Sequence, residues 1–325
     1  MQTVNGLHHI TAISGDAQEN LHFYSHVLGM RLVKKSVNQD DPTTYHLFYA
    51  DGAGSPGSDI TFFPWKDMPR VRKGVGLTDE VLFAVPPGSL AYWQDRLGSF
   101  GVDTDAITTR FGERTLPFRD VHGMAVALVE TDDLSGFTAW RDSPVPQDKQ
   151  IVRLHGARVL ERELAATASF LAEQLGFEQL AEEDGWRRYA LRDDSGALGG
   201  SGRLLDIREL PGAQRGQWGV GGVHHLAWRV RDTEQQLAVR AQVAHAGRRP
   251  TEVIDRFWFK SVYFMEPGGV LFELATDGPG FAVDEHPDVL GTRLILPPWL
   301  EPHRVQIEAA LPALKTLERQ SALSD

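Results

Sequence analysis

Apolar and β-branched residues gather in short runs bounded by glycine, and two of these runs carry paired histidines. Gly222-Val223-His224-His225-Leu226-Ala227-Trp228-Arg229-Val230 reads as a strand, and Gly6-Leu7-His8-His9-Ile10-Thr11-Ala12-Ile13 repeats it at the start of the chain. The same order recurs four times: a strand-like opening, a helical stretch closed by glycine, then alternating strands. The openings fall at His9, Glu80, His155 and His225, and the closing positions at Thr61, Ala127, Asp206 and Glu273. Successive openings lie 70 to 75 residues apart, a regularity that marks an internal repeat.

The helical stretches are Ala17–Leu28, Ser89–Leu97, Leu164–Leu175 and Thr233–Ala246, followed by Gly29, Gly98, Gly176 and Gly247. In the first, Leu21, Tyr24, Val27 and Leu28 share a face, and Asp16 is placed to cap the N-terminus. The expected fold is therefore α+β, built of four βαβββ modules. One such module cannot bury both faces of its small sheet, so the modules must pair. The polar, proline-rich segment 142–149 is the natural boundary. It predicts an N-terminal domain over 1–141 (modules one and two) and a C-terminal domain over 150–278 (modules three and four). Residues 279–325 hold Pro279, Pro287, Pro297, Pro298 and Pro302, and read as an extended arm with a short helix near His303–Leu311.

With 42% hydrophobic residues over 325 positions, the chain can bury two sizeable cores. No run approaches the roughly 18 apolar residues of a membrane span, and the N-terminus lacks a signal-peptide pattern, so a cytoplasmic location and no membrane partner are expected. A net charge of −11 argues against nucleic acid. The absence of cysteine rules out disulfides, thiolate metal sites and a cysteine nucleophile. Nothing in the composition opposes a homo-oligomer.

The chemistry lies in the histidine pairs. Neighbouring side chains of a strand point to opposite faces, so one imidazole of each pair faces inward. Two such strands can aim one ring each at a common point, and Glu273, in Gly268-Gly269-Val270-Leu271-Phe272-Glu273, can add a carboxylate. Two imidazoles and one carboxylate leave positions free on a divalent ion, the pattern of non-haem Fe(II) oxygenases. Mn(II) suits the same donors. A second cup could draw on Glu80, His155 and Asp206, but it offers a single imidazole, and it reads as a degenerate copy that packs structurally.

Units of this order resemble the vicinal oxygen chelate superfamily of glyoxalases, bleomycin-resistance proteins and extradiol dioxygenases. The resemblance runs from Gly6 to about Leu311 and is carried by Leu7-His8-His9-Ile10-Thr11, Tyr45-His46-Leu47, Ser55-Pro56-Gly57, Thr109-Arg110-Phe111-Gly112, Gln217-Trp218, His224-His225 and Tyr263 through Glu273. It is closer to ring-cleaving dioxygenases of hydroquinones. It implies that the metal ligands are His9, His225 and Glu273, the second histidine of each pair. It implies surrounding roles for His8, Thr11, His224, Arg256 and Tyr263. His8 would take the substrate's proton, Arg256 would stabilise negative charge, Tyr263 would donate a hydrogen bond, and Thr11 and His224 would orient substrate or ligands. Arg256 could instead pair at the surface with Asp255 or Glu252, and Tyr263 could be a core residue.

Modules one and four would then share the site, and Thr61, a poor ligand, would hold the position of a fourth donor. That favours oxygen chemistry on a small aromatic diol, with O2 and Fe(II), over a glyoxalase-type lyase or isomerase. A protein that sequesters an aromatic compound or drug is the third reading. Phe257, Trp258, Phe259 and Trp218 are candidate walls.

Overall fold

The strand that opens each module is apolar on both sides of its pleat, so it needs neighbours along both edges and cover on both faces. In the computed structural model, which describes residues 2–315, those four strands form the centres of two sheets. Module one supplies β1–β4 (Leu7–Ser14, Arg31–Asn38, Asp41–Ala50, Asp59–Pro64). Module two supplies β5–β8 (Leu77–Val85, Thr108–Arg110, Glu113–Arg119, Ala125–Glu130). Module three supplies β9–β12 (Arg153–Glu161, Glu178–Glu183, Trp186–Ala190, Leu204–Glu209). Module four supplies β13–β16 (Gly222–Val230, Ile254–Asp255, Lys260–Met265, Leu271–Thr276). A helix follows each opening strand, so the βαβββ order holds throughout.

One eight-stranded sheet runs β14-β15-β16-β13-β1-β4-β3-β2, and the other β10-β11-β12-β9-β5-β8-β7-β6. Module one is thus joined to module four through the antiparallel β1–β13 pair, and module two to module three through β5–β9. The sheets cut across the sequence division at 142–149, since each takes one module from either side of it. The opening strand of module one is paired by that of the distant module four, while its sequence neighbour, module two, builds the other sheet with module three.

The helices behave as the pattern implies, with one difference. Asp16 caps the first by accepting from the N–H groups of Gln18 and Glu19. This helix and the third begin as α-helix (Ala17–Leu21, Leu164–Phe170) and widen into π-helical turns over His22–Val27 and Leu171–Leu175. Gly176 then turns the chain with φ of +88°, a conformation glycine adopts at little cost.

The arm is pinned to module one. Phe281, Leu290 and Ile295 join Val33, Phe48, Trp258 and Phe259 in one apolar cluster. Beside it the fully buried ammonium of Lys34 meets Asp284 at 2.7 Å and also bonds Glu285. The short helix expected in the arm is present as Arg304–Ala310. The last ten residues of the 279–325 segment lie outside the described residues.

Candidate metal centre

Strands β1 and β13 run antiparallel side by side, and this brings the two histidine pairs together. His9 Nε2 lies 3.3 Å from His225 Nε2, and both face Glu273 Oε2, at 3.3 and 2.9 Å. Donor atoms held about 2.1 Å from one divalent ion and at right angles to each other stand ~3.0 Å apart. Tetrahedral angles would set them ~3.4 Å apart, so the three groups, at 2.9 to 3.3 Å, fit around one divalent ion of either geometry. All three residues are buried, and among the described residues neither Glu273 oxygen has a hydrogen-bond partner of acceptable geometry. A buried carboxylate without donors is costly unless a cation satisfies it. Burial opposes ionisation of Glu273, but His9 and His225 outweigh it and hold the carboxyl well below its usual range. The donor set fits a divalent ion.

Behind each ligand stands its sequence neighbour. His9 Nδ1 is 2.9 Å from His8 Nδ1, and His225 Nδ1 is 2.8 Å from His224 Nδ1. A ligand imidazole that offers Nε2 to a metal carries its proton on Nδ1, so each donates to the histidine before it. His8 and His224 must then accept, which requires them neutral. Burial and the adjacent ligand histidine push both down to about 3. Strict alternation would send His8 to the opposite face. A bulge between Leu7 and His9 lets both rings meet. Trp218 stacks on His224 with ring centres 4.6 Å apart, so it braces that ligand pair.

A small cavity of about 40 Å³ opens beside the ligands, lined by His9, His225, His46, Arg256, Trp258, Phe259 and Tyr263 among others. Of the five surrounding residues the sequence singled out, Arg256 and Tyr263 reach it. His8, Thr11 and His224 do not line it. Tyr263 packs edge-on to His225, and burial with the charge of Glu273 raises its pKa, so the phenol stays protonated. The Arg256 guanidinium lies 5.7 Å from the Tyr263 ring centre and pairs with both oxygens of Asp40, at 3.2 and 2.8 Å. The surface partners expected for it are engaged elsewhere: Asp255 accepts from the Phe257 N–H, and Glu252 pairs with Arg240. Phe257 takes φ of +74°, a costly conformation for a non-glycine residue. The resulting turn sends Phe257 outward against Trp299 and leaves Trp258 and Phe259 as walls.

His46 is the cavity residue that reasoning from sequence left without a role. Its Nε2 is 2.8 Å from Thr61 Oγ1, which is 2.8 Å from Thr11 Oγ1. Thr61 lies opposite Thr11, two residues past His9, just as Glu273 lies opposite Ala227, two residues past His225. Thr61 thus holds the position of a fourth donor, and its hydroxyl is already engaged. The alternation of Tyr45-His46-Leu47-Phe48 already placed His46 on the face opposite Tyr45 and Leu47. Which of the two faces turns toward the ligands depends on sheet pairing.

The second cup is not a ligand set. In the sheet register Asp206 lies opposite Arg158 and Leu82 opposite Gly156. Gly156 is thus the counterpart of His225, and His155 that of His224, one residue away from the ligand position. Guanidinium groups fill the space. Glu80 meets Arg110 at 2.6 Å and Arg158 at 3.3 Å, and Arg188 grips Asp206 at 2.8 and 3.1 Å. Among the described residues, His9, His225 and Glu273 form the one group of three ligand side chains close enough to share an ion. A cleft of about 960 Å³ beside this second cup is far larger than the cavity at His9, but its Glu80 is already paired with Arg110 and Arg158.

The family described as Glyoxalase/Bleomycin resistance protein/Dioxygenase superfamily matches residues 6–138 and 153–274. A Bacillus subtilis protein named as a ring-cleaving dioxygenase, MhqO, is 42% identical over 306 residues, covering 94% of this chain and 95% of its own. The chlorohydroquinone/hydroquinone 1,2-dioxygenase of Sphingobium indicum is 32% identical over 308 residues, covering 92% of this chain and 94% of its own. A crystal structure of a Bacillus subtilis protein described as a dioxygenase superposes with a TM-score of 0.90 at 41% identity, covering 98% of this chain and all of the other. Maize glyoxalase I, at 14% identity and a TM-score of 0.61 over 84% of this chain and 92% of its own, shares the fold.

Proposed function

Because the chain belongs to the glyoxalase/bleomycin resistance protein/dioxygenase superfamily, we propose that it is an Fe(II)-dependent ring-cleaving dioxygenase that joins O2 to a hydroquinone-type aromatic diol. One observation carries this reading. Three donor atoms sit about one coordination edge apart, and the place of a fourth is held by Thr61, whose hydroxyl is committed to Thr11 and His46. A site with three protein donors and free positions suits a reaction in which two substrates must meet. The relatives named as ring-cleaving and hydroquinone dioxygenases support the choice of substrates.

When bound, Fe(II) acidifies a coordinating phenol and links it electronically to O2. The chain's own residues do the rest. His8 and His224 accept from the ligand imidazoles and fix their orientation. This replaces the removal of the substrate's proton that the sequence suggested for His8, which stands behind the ligand and away from the cavity. Tyr263 supplies a phenol O–H as donor, and Arg256 a permanent positive charge for the electron-rich reacting face. Trp258 and Phe259 exclude water from one side. An aromatic ring needs on the order of 150 Å³ of cavity, so the Gln39–Asp40 turn and Arg256, which tie across the rim, must part to admit it.

The test is loading with Fe(II) under anaerobic conditions, then O2 and a panel of hydroquinones and catechols. Ring-opened product with matching O2 uptake is expected, and Glu273→Gln should lose both iron retention and turnover. Turnover of a hemithioacetal without O2, or ligand binding that survives Glu273→Gln with no oxygen uptake by wild type, overturns the proposal. Mn(II) in place of iron in the active protein would correct the metal and leave the reaction standing.

A further inference from the structure

Among the described residues, one nitrogen of His46 has no hydrogen-bond partner. The direction of the hydrogen bonds on its other side decides what that nitrogen is. Thr11 and Thr61 are both fully buried. The Thr11 hydroxyl is bonded to Thr61 Oγ1 alone, and Thr61 Oγ1 to Thr11 and His46 Nε2. If His46 donated to Thr61 and Thr61 to Thr11, the Thr11 hydroxyl proton would be stranded in a dry interior, which is costly. The opposite direction satisfies both hydroxyl protons: Thr11 donates to Thr61, and Thr61 donates to His46 Nε2. His46 then carries its own proton on Nδ1. The ring is pinned between Phe48 and Phe63, with centres 3.9 and 4.4 Å away, so this donor keeps a fixed direction. It belongs to a residue that lines the cavity with His9 and His225.

Position gives the donor its meaning. Thr61 stands at the fourth-donor place on β4, and His46 lies on β3, one strand farther from the ligand strands β1 and β13. The free N–H therefore lies beyond the ligand set. A catechol would bring both of its oxygens to the ligands. A para-diol held there by one oxygen carries the other across the ring. We propose that His46 selects para-diols by donating its Nδ1–H to the substrate oxygen remote from the ligands. The substrate class rests on the dioxygenase reading given above; the donor does not.

The experiment is anaerobic binding to the full-length protein loaded with Mn(II) or Fe(II), followed by tryptophan fluorescence, since Trp258 lines the cavity. Hydroquinone, 4-methoxyphenol and phenol are the probes. Wild type should bind the first two about tenfold more tightly than phenol, the worth of one neutral hydrogen bond, because an ether oxygen also accepts. In His46→Phe the three should bind alike, with phenol within about twofold of its wild-type value. His46→Gln, which keeps an amide donor, should retain part of the preference. Equal weakening of all three in His46→Phe overturns the assignment. So does a wild type that does not prefer hydroquinone and 4-methoxyphenol over phenol, whatever becomes of the variants. O2 uptake by the iron-loaded wild type is scored separately. A preference for the para oxygen without turnover sinks the dioxygenase reading and keeps His46; turnover without the preference does the reverse.

Discussion

Replacing Lys34 with methionine would remove one charge and leave most of the side chain's bulk in place. The Lys34 ammonium is fully buried, 2.7 Å from Asp284, bonded to Glu285, and 5.3 Å from the centre of the Trp258 ring. Asp284 also accepts from the Trp258 indole N–H at 3.0 Å. One cation on β2 therefore fixes two carboxylates of the arm and, through Asp284, a wall of the cavity. At the surface such a pair would be worth about 0–1 kcal/mol. Here the Glu285 side chain is fully buried, so losing its partner should cost about 3–5 kcal/mol. Urea unfolding of Lys34→Met should show that loss. Hydroquinone should bind more weakly as Trp258 loses its anchor, while metal retention should be unchanged because none of the ligands touches the clamp. Adding Asp284→Asn and Glu285→Gln removes the stranded charges and should restore most of the stability. A loss under about 1 kcal/mol, or a triple variant no better than the single one, would refute the claim that charge burial governs this joint.

His8→Ala and His224→Ala, each removing the acceptor behind a ligand imidazole, should weaken metal binding roughly 10–100-fold in competition with a chelator; unchanged affinity would mean that the ligand rings are held by packing alone. Glu161 and Glu266 share the hydroxyl of Thr167 at 2.6 and 2.7 Å where module three meets module four, and burial with the charge of Glu266 pushes Glu161 up from 4.5 to about 9. The folded protein then keeps a proton that the unfolded chain releases above about pH 4.5, so this carboxyl's contribution to stability should be full below that pH and fall by a few kcal/mol as pH rises toward about 9. Urea unfolding should show the stability of wild type relative to Glu161→Gln declining over that interval, and a difference that is level or rising would contradict the shared-proton arrangement.

The module order was legible because it depends on local pattern: glycine stops, apolar runs and the Asp16 cap can be read one stretch at a time. Sheet partnership was less so. The proline-rich segment at 142–149 divides the chain, yet β1 pairs with β13 across more than two hundred residues, because what decides the partner is which buried edge remains open. The ligand triad could be read because both histidine pairs carry the same neighbours. The residues facing it could not be sorted in the same way. His8 and His46 differ in whether they meet the cavity, and that difference comes from a bulge in β1 and from the order in which β3 and β4 join the sheet. Neither leaves a mark on local periodicity.

The two cups show how little separates a metal centre from a structural core. Both arise from the same pairing of opening strands, and both place an acid on the closing strand, Glu273 in one and Asp206 in the other. In the first, a ligand histidine on each opening strand points inward, and the preceding histidine of each pair supports it. In the second, the counterpart of His225 is Gly156, where even a Cβ would come within 2.8 Å of the Leu204 carbonyl oxygen. The histidine that remains, His155, is one residue out of register, and a shift of one residue in a strand turns a side chain to the other face. An acid left in such a cup still needs a counter-charge, and there Arg188 and Arg158 provide it from the protein itself. Asp206 is held by permanent guanidinium charges, whereas among the described residues Glu273 is paired with imidazoles, which balance it only when protonated and otherwise offer lone pairs to a cation. That contrast, within one chain and one fold, is the physical reason to expect a cation at His9, His225 and Glu273 and none at the second cup.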